Sequence, residues 1–74
     1  MALRLYTKAE FEAELHDRLG LTSTDTVTGT ARLWKNKAGK HVTVPMNGVS
    51  VPELGERYPD DWMALIDREL ERLS

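Results

Sequence analysis

The chain contains no cysteine, so neither disulfides nor thiolate metal ligands can stabilise its fold. Its two histidines lie far apart in the sequence and belong to no ligand-spaced cluster, so we expect no metal site. No apolar run approaches the length of a signal peptide or of a membrane-spanning helix. We therefore expect a cytoplasmic protein with no membrane attachment.

The small size of the chain excludes several classes of protein. Its 74 residues suffice for one domain, residues 1–74, but not for a core that encloses a large cofactor or a deep substrate cavity. We therefore expect no cofactor, and an enzyme of this size would work on an open face. The content of 41% hydrophobic and 30% charged residues is typical of a folded globular chain.

Acidic residues are missing from the middle of the chain. All 12 lie before residue 26 or after residue 52, so those flanks sum to −6 and the middle sums to +4, while the whole chain carries −2. Such a division lets one face approach phosphate groups while the rest of the molecule repels them. The stretch TGTARLWKNKAGKHVTVP, residues 28–45, holds every positive charge of this middle segment and one histidine.

A first helix is predicted to begin after Thr7, which has the spacing of a capping box with Glu10. Tyr6 and Phe11 occupy the two positions of a hydrophobic staple. The preceding LRLY, residues 3–6, alternates as a short strand does. An apolar stripe along the helix is followed by a glycine stop: Phe11, Leu15, Leu19 and Gly20.

The last element is also predicted to be a helix. Pro59, Asp60 and Asp61 mark its start, because proline suits the first turn and acids interact favourably with the helix dipole there. In the segment before it, Ser50 and Glu53 are predicted to cap one short helical turn. The apolar face predicted for the last helix consists of Trp62, Leu65, Ile66, Leu70 and Leu73.

Between the helices we predict a β-hairpin. After a polar linker, LTSTD, its strands are TVTGTARLW and HVTVPM, and the turn between them fits a type I turn followed by a left-handed Gly39. This turn pairs Lys35 with His41, and alternation then places Trp34, Val42 and Val44 on the core face. The opposite face consists of Ala31, Leu33, Lys35, His41 and Thr43. The chain is thus predicted to be a small α+β domain: helix, antiparallel hairpin or three-stranded sheet, helix.

The hairpin carries the residues that can bind a ligand. Its four basic residues can contact phosphate groups, or they can protect an exposed strand edge from pairing with another chain: Arg32, Lys35, Lys37 and Lys40. His41 lies among them and is either a base for proton transfer or, as we favour, an ordinary surface histidine. His16, within an acidic helix, is predicted to be structural.

The segment from Gly29 to Pro45, GTARLWKNKAGKHVTVP, resembles without a gap the central signature of the HicA toxin family. That signature is G-S/T, a histidine, a spacer, an aromatic or apolar strand, a glycine turn, two basic residues and V-T-V-P. The resemblance implies a small fold like that of double-stranded-RNA-binding domains. It also implies a metal-independent ribonuclease that cleaves messenger RNA and is inhibited by a HicB-like antitoxin.

The position that matches the family's catalytic histidine holds Ala31. A histidine there would take the proton of the RNA 2′-hydroxyl near neutral pH, whereas a methyl group can neither accept nor donate a proton. We therefore expect this chain to be catalytically inactive or severely impaired. It is either an engineered inactive form or a natural homologue that has kept the fold and lost catalysis.

Two functions follow as hypotheses. In the first, the chain is a HicA-like toxin module that binds RNA and an antitoxin over the same hairpin face, with these contacts to RNA: Thr30, Arg32, Lys35, Lys37, Lys40, His41 and Thr43. In the second, it is a small protein-binding module that does not act on RNA, such as an inhibitor of a host machine carried by a phage or mobile element. The acidic pI of 5.6 and the acidic helices favour the second.

Overall fold

The computed structural model describes residues 4–73, which form an α+β domain. A short strand and a helix are followed by five more strands and a second helix. In chain order, the elements have these bounds: β1 Leu5–Tyr6, α1 Lys8–Leu19, β2 Thr22–Thr28, β3 Ala31–Lys35, β4 His41–Pro45, β5 Val49–Val51, β6 Gly55–Pro59 and α2 Asp60–Leu73. The strands form two three-stranded sheets, in the orders β1-β6-β5 and β2-β3-β4. The predicted fold class is confirmed.

The start and end of α1 are confirmed. Thr7 caps the helix through its side chain, which accepts a hydrogen bond from the Glu10 backbone, and the Glu10 carboxylate accepts one from the Thr7 backbone. The Tyr6 and Phe11 rings lie 6.3 Å apart, as a hydrophobic staple requires. Gly20 ends the helix in the left-handed conformation. The opening strand predicted for residues 3–6 is observed as β1, Leu5–Tyr6. Leu3, where the predicted strand begins, lies outside the described residues.

The predicted hairpin is observed with its predicted register. Strands β3 and β4 pair Lys35 with His41 and Trp34 with Val42. The backbone N–H of Gly39 donates to the Asn36 carbonyl at 3.0 Å, and Gly39 has a φ of 82°, as the predicted turn requires. Trp34 and Val42 are buried, so the core face of the hairpin is also confirmed.

The prediction of a polar linker at residues 21–25 is wrong. Leu21 is fully buried, and β2 begins at Thr22 and pairs with β3. A two-residue turn at Gly29 and Thr30 therefore divides what the sequence analysis interpreted as one strand. Gly29 has a φ of 61°, and this conformation at the first turn position is typical of a hairpin turn that matches strand twist.

The helical turn predicted around Ser50 and Glu53 is also wrong. Residues 49–59 form a second hairpin of β5 and β6, and β6 in turn pairs with β1. Gly48 allows the backbone before β5 to approach the backbone of β6 closely, since a Cβ at this position would lie 2.9 Å from the carbonyl carbon of Arg57. Glu53 lies in the turn with a φ of 69° rather than in a helix.

The apolar face of α2 differs in one position from the prediction. The helix begins at Asp60 as predicted, but Leu65 is 57% exposed and Met63 is buried in its place. None of the helices within residues 4–73 is long and apolar enough to cross a membrane. The buried core joins both helices to both sheets: Tyr6, Phe11, Leu15, Leu21, Trp34, Val42, Val44, Tyr58, Met63, Ile66 and Leu70.

Candidate nucleic-acid interface

The side of the β2-β3-β4 sheet that faces away from the core is open to solvent. On this side, called the outer face below, Lys35, His41 and Thr43 are exposed, while Ala31 and Leu33 are half-buried. Their positions follow from alternation, because the paired Trp34 and Val42 point the opposite way into the core. The sheet therefore presents charge and hydroxyl groups on a surface that no described element covers.

Positive charge collects around the β3–β4 turn, at one end of the β2-β3-β4 sheet. Lys37 and Lys40 lie in this turn, and Lys35 and His41 flank it at the ends of the two strands. These four residues are called the basic end below. The Asn36 side chain holds the turn, since its amide oxygen accepts backbone hydrogen bonds from Ala38 at 3.0 Å and Lys40 at 2.9 Å. The three lysines are exposed, and no described carboxylate forms an ion pair with them. The Lys37 side chain reaches back towards Gly20 at the end of α1, where it lines a pocket with Asp17.

Ala31 lies at the opposite end of the same face. It pairs with Pro45 and Thr28, at the far end of β3 from Lys35. Lys35 lies four residue steps along the strand from Ala31, a distance of about 13 Å at the usual rise. His41, opposite Lys35, is therefore too far from Ala31 to replace a catalytic histidine there.

Thr30 lies at the same end as Ala31, in the β2–β3 turn. Its carbonyl accepts a hydrogen bond of 2.9 Å from the Met46 backbone, which ties this turn to the end of β4. Its exposed side chain borders Ala31. Thr30 and the basic end therefore mark the two ends of the outer face, with Thr43 between them.

Arg32, a predicted RNA contact, does not lie on the outer face. It pairs with Val44 and shares the core side of the sheet, where it is half-buried. One of its guanidinium N–H groups donates to the Thr24 carbonyl at 2.8 Å. The structure thus places Arg32 and Lys35 on opposite sides of the sheet.

Arg32 opens onto a cleft that the sequence does not predict. This cleft, of about 160 Å³, lies between α1 and the core side of the sheet, near Pro45 and Met46. Its polar lining comes from three separate elements: Lys8 and Glu12 of α1, Ser23 of β2 and Arg32 of β3. The aromatic side chains of Trp34 and Tyr58 also line it. No sequence spacing relates residues of α1, β2 and β3, so no local signal indicated the cleft.

Tyr58 closes one wall of the cleft. Its hydroxyl donates to the Met46 carbonyl at 2.7 Å and lies 3.2 Å from the Glu56 carboxylate, while its ring stacks on Phe11 with centroids 4.9 Å apart. Burial, followed by the negative charge and hydrogen bond of Glu56, raises the pKa of Tyr58 to about 12. The phenol is therefore neutral at physiological pH and fixes the wall rather than transferring protons.

An apolar groove borders the outer face on the side of α2. Thr43 and Pro45 of the edge strand form one wall, and Trp62, Leu65 and Ile66 form most of the other. Leu65 is 57% exposed, although it was predicted to be buried. The groove thus continues the outer face with apolar surface.

Neither histidine has the surroundings of a catalytic base. The Nδ1 of His16 lies 3.1 Å from the Leu21 carbonyl, so this exposed ring ties the end of α1 to the start of β2. His41 lies opposite Lys35 in the basic end. Within residues 4–73, no group of three or more histidine or carboxylate side chains could hold a metal ion.

Comparison with known proteins leaves the sequence resemblance without independent support. None of the protein-family models, curated proteins or solved structures compared with this chain matches it. The HicA-like assignment therefore stays a prediction that depends on the segment from Gly29 to Pro45.

Proposed function

We propose that this chain is an RNA-binding module of the HicA toxin type whose catalytic position is occupied by Ala31. RNA lies along the outer face, with its phosphates at the basic end. The observation that carries the proposal is that four positive charges and no acid occur between residues 26 and 52, and that three of these charges lie in one exposed turn region.

Electrostatics supports this choice of surface. An RNA strand that binds lysines releases condensed counterions, and a surface without acids adds no repulsion. Lys35, Lys37 and Lys40 supply three contacts to phosphates, and Thr43 supplies a hydroxyl beside them. Arg32 takes no part in this surface, since it lies on the core side of the sheet.

The same geometry argues against catalysis by the chain as it stands. Cleavage at a 2′-hydroxyl needs a group that takes its proton, and Ala31 has none. The nearest candidate on the outer face, His41, lies about 13 Å along the strands. The expected activity is therefore binding without cleavage.

Salt dependence and charge reversal test the binding proposal. Three phosphate contacts to a single strand predict a slope of log K against log salt of about −2. Lys35→Glu and Lys40→Glu should each weaken binding to a single-stranded RNA by roughly tenfold, because each removes an attraction and adds a repulsion. Fluorescence anisotropy at several salt concentrations measures both quantities.

The matched control is Arg68→Glu, which makes the same charge change on an exposed position of α2. It should change RNA affinity by less than either hairpin variant. Equal losses in all three variants would indicate a non-specific effect of net charge, and unchanged binding by the hairpin variants would overturn the assigned surface.

A protein-binding module is the second candidate, and the groove beside the outer face favours it. Leu65 is exposed on α2, and Trp62 is only half-buried next to it. Half-exposed aromatic and aliphatic side chains are the usual anchors of protein interfaces. A HicB-like antitoxin, the partner that the first function implies, or a host protein, the partner of the second, would cover this groove together with the outer face.

Leu65→Glu tests the groove as a protein interface without damage to the core. When the protein of the neighbouring gene is co-expressed, the two should purify together, and Leu65→Glu should abolish the complex. The same variant should weaken RNA binding less than Lys35→Glu does, because Leu65 lies away from the β3–β4 turn. Co-purification that survives Leu65→Glu would exclude the groove as the interface.

A further inference from the structure

We infer that the cleft between α1 and the core side of the β2-β3-β4 sheet binds a phosphate monoester through Arg32, Lys8 and Ser23. This site is distinct from the outer face, so it does not depend on RNA binding there. The ligand is a terminal phosphate, carried either by a free nucleotide or by the end of an RNA.

Arg32 is the strongest argument for a ligand. The core side of β3 and β4 calls for apolar residues, as at Trp34, Val42 and Val44, yet Arg32 occupies one of these positions. Arg32 is half-buried, and among the described residues its guanidinium makes a single hydrogen bond, to the Thr24 carbonyl. No described carboxylate forms an ion pair with it, so several of its N–H donors are left to bind an anion.

The other groups of the cleft suit the same ligand. Lys8, in the first turn of α1, adds a second positive charge, and Ser23 adds a hydroxyl. The volume of about 160 Å³ resembles that of a cavity that holds one benzene ring, so it accepts a phosphate group but not a whole nucleotide. The rest of the ligand must therefore extend into solvent.

Glu12 sets the charge that the ligand meets. It lines the same cleft and opposes an anion, so the two cations exceed the acid by one charge. Removal of this carboxylate should therefore strengthen binding, whereas removal of Lys8 should weaken it. Opposite effects from two exposed residues of the same helix distinguish a real anion site from a general change in stability.

Nuclear magnetic resonance titration with inorganic phosphate, and then with a nucleoside 5′-monophosphate, tests the proposal. The indole N–H of Trp34 in the cleft should shift, while that of Trp62, which lines the groove instead, should not. Arg32→Gln should weaken binding by roughly tenfold, because it removes charge-assisted hydrogen bonds. Lys8→Gln should weaken it by about threefold and Glu12→Gln should strengthen it.

Two RNA oligonucleotides of the same sequence, one with a 5′-phosphate and one with a 5′-hydroxyl, show whether the bound phosphate belongs to a free nucleotide or to an RNA end. A free nucleotide as ligand predicts equal affinities, whereas an RNA end predicts tighter binding of the phosphorylated strand that Lys8→Gln abolishes. Lys40→Gln is the matched control, since it should weaken both RNAs without changing phosphate binding. The proposal is overturned if phosphate does not shift the indole N–H resonance of Trp34. It is also overturned if Lys8→Gln and Glu12→Gln do not change the affinity for phosphate in opposite directions.

Discussion

Alternation along β3 gives two neighbouring residues opposite roles. Ala31 lies on the outer face, where the resemblance places a catalytic group, and Arg32 lies on the core side, where it faces the cleft. The motif alone treats both as parts of one RNA-facing surface. Because strand side chains alternate, only one of two consecutive residues can reach a ligand on a given face.

Tyr58 should make the free energy of unfolding depend on pH in the alkaline range. Its pKa is about 12 in the folded protein against 10.0 for an ordinary tyrosine, because burial and Glu56 disfavour the phenolate. The full contribution to stability is therefore present below about pH 10, and it is lost as pH rises towards 12, where the unfolded chain ionises first. Urea unfolding at several pH values should show a falling free energy of unfolding in this window.

Tyr58→Phe is the control for that prediction. It removes the hydrogen bond to Met46, which should cost about 1 kcal/mol at neutral pH. It should also make the decline above pH 10 shallower than in the unmodified chain. Burial and the hydrogen bond to Asp60 also raise the pKa of Tyr6, so a smaller decline should remain. Identical alkaline curves for the two proteins would contradict the role assigned to Tyr58.

At the scale of elements, the β5–β6 hairpin depends on the absence of a side chain at residue 48. A Cβ at Gly48 would lie 2.9 Å from the Arg57 carbonyl carbon, which belongs to the backbone of β6 and cannot rotate away. Gly48→Ala should therefore destabilise the protein by about 1–3 kcal/mol, the usual cost of overpacking. Chemical denaturation measures it, and Asn47→Ala, at the exposed neighbouring position, should cost much less.

The helices and the β3–β4 hairpin could be predicted because their signals are local. The capping box at Thr7 and the turn at Gly39 each lie within a few residues, and the turn fixes the register of every pair in the hairpin. Strand β2 was missed because Gly29 was interpreted as part of a longer strand. The β5–β6 hairpin was missed because Ser50 and Glu53 imitate a capping box and three-residue β5 is too short to show alternation.

The candidate sites divide in the same way. The basic end could be predicted, because its residues are contiguous in sequence and surround one turn. The cleft could not, because Lys8, Ser23 and Arg32 meet only after α1 has packed on the sheet. Exposure of Leu65 depends likewise on how far α2 is rotated against β4, which its apolar spacing does not determine.

At the scale of the whole molecule, the separation of charge along the sequence becomes only in part a separation in space. Lys35 and His41 lie on the outer face, whereas the exposed acids Glu10 and Glu12 lie on α1, which packs on the core side. Lys37 instead reaches the end of α1, where it lines a pocket together with Asp17. Under the proposed function, RNA is attracted to the turn end of the outer face even though the net charge is −2.

Ala31→His tests whether the whole molecule retains the plan of a ribonuclease. The new imidazole would lie on the outer face at the start of β3, beside exposed Thr30 and on the same surface as the basic end. If RNA lies along this face, the variant should cleave bound RNA without added metal and arrest growth when expressed. Cleavage should fall with Lys35→Glu in the same chain, because binding precedes the chemistry.

The control is Ala31→Gln, whose side chain is of similar size to histidine but has no titratable group. This variant should bind RNA and leave it intact. RNA binding without cleavage by Ala31→His would support a binding module that has lost more than one catalytic feature, and would contradict the expectation that Ala31 alone accounts for the missing activity.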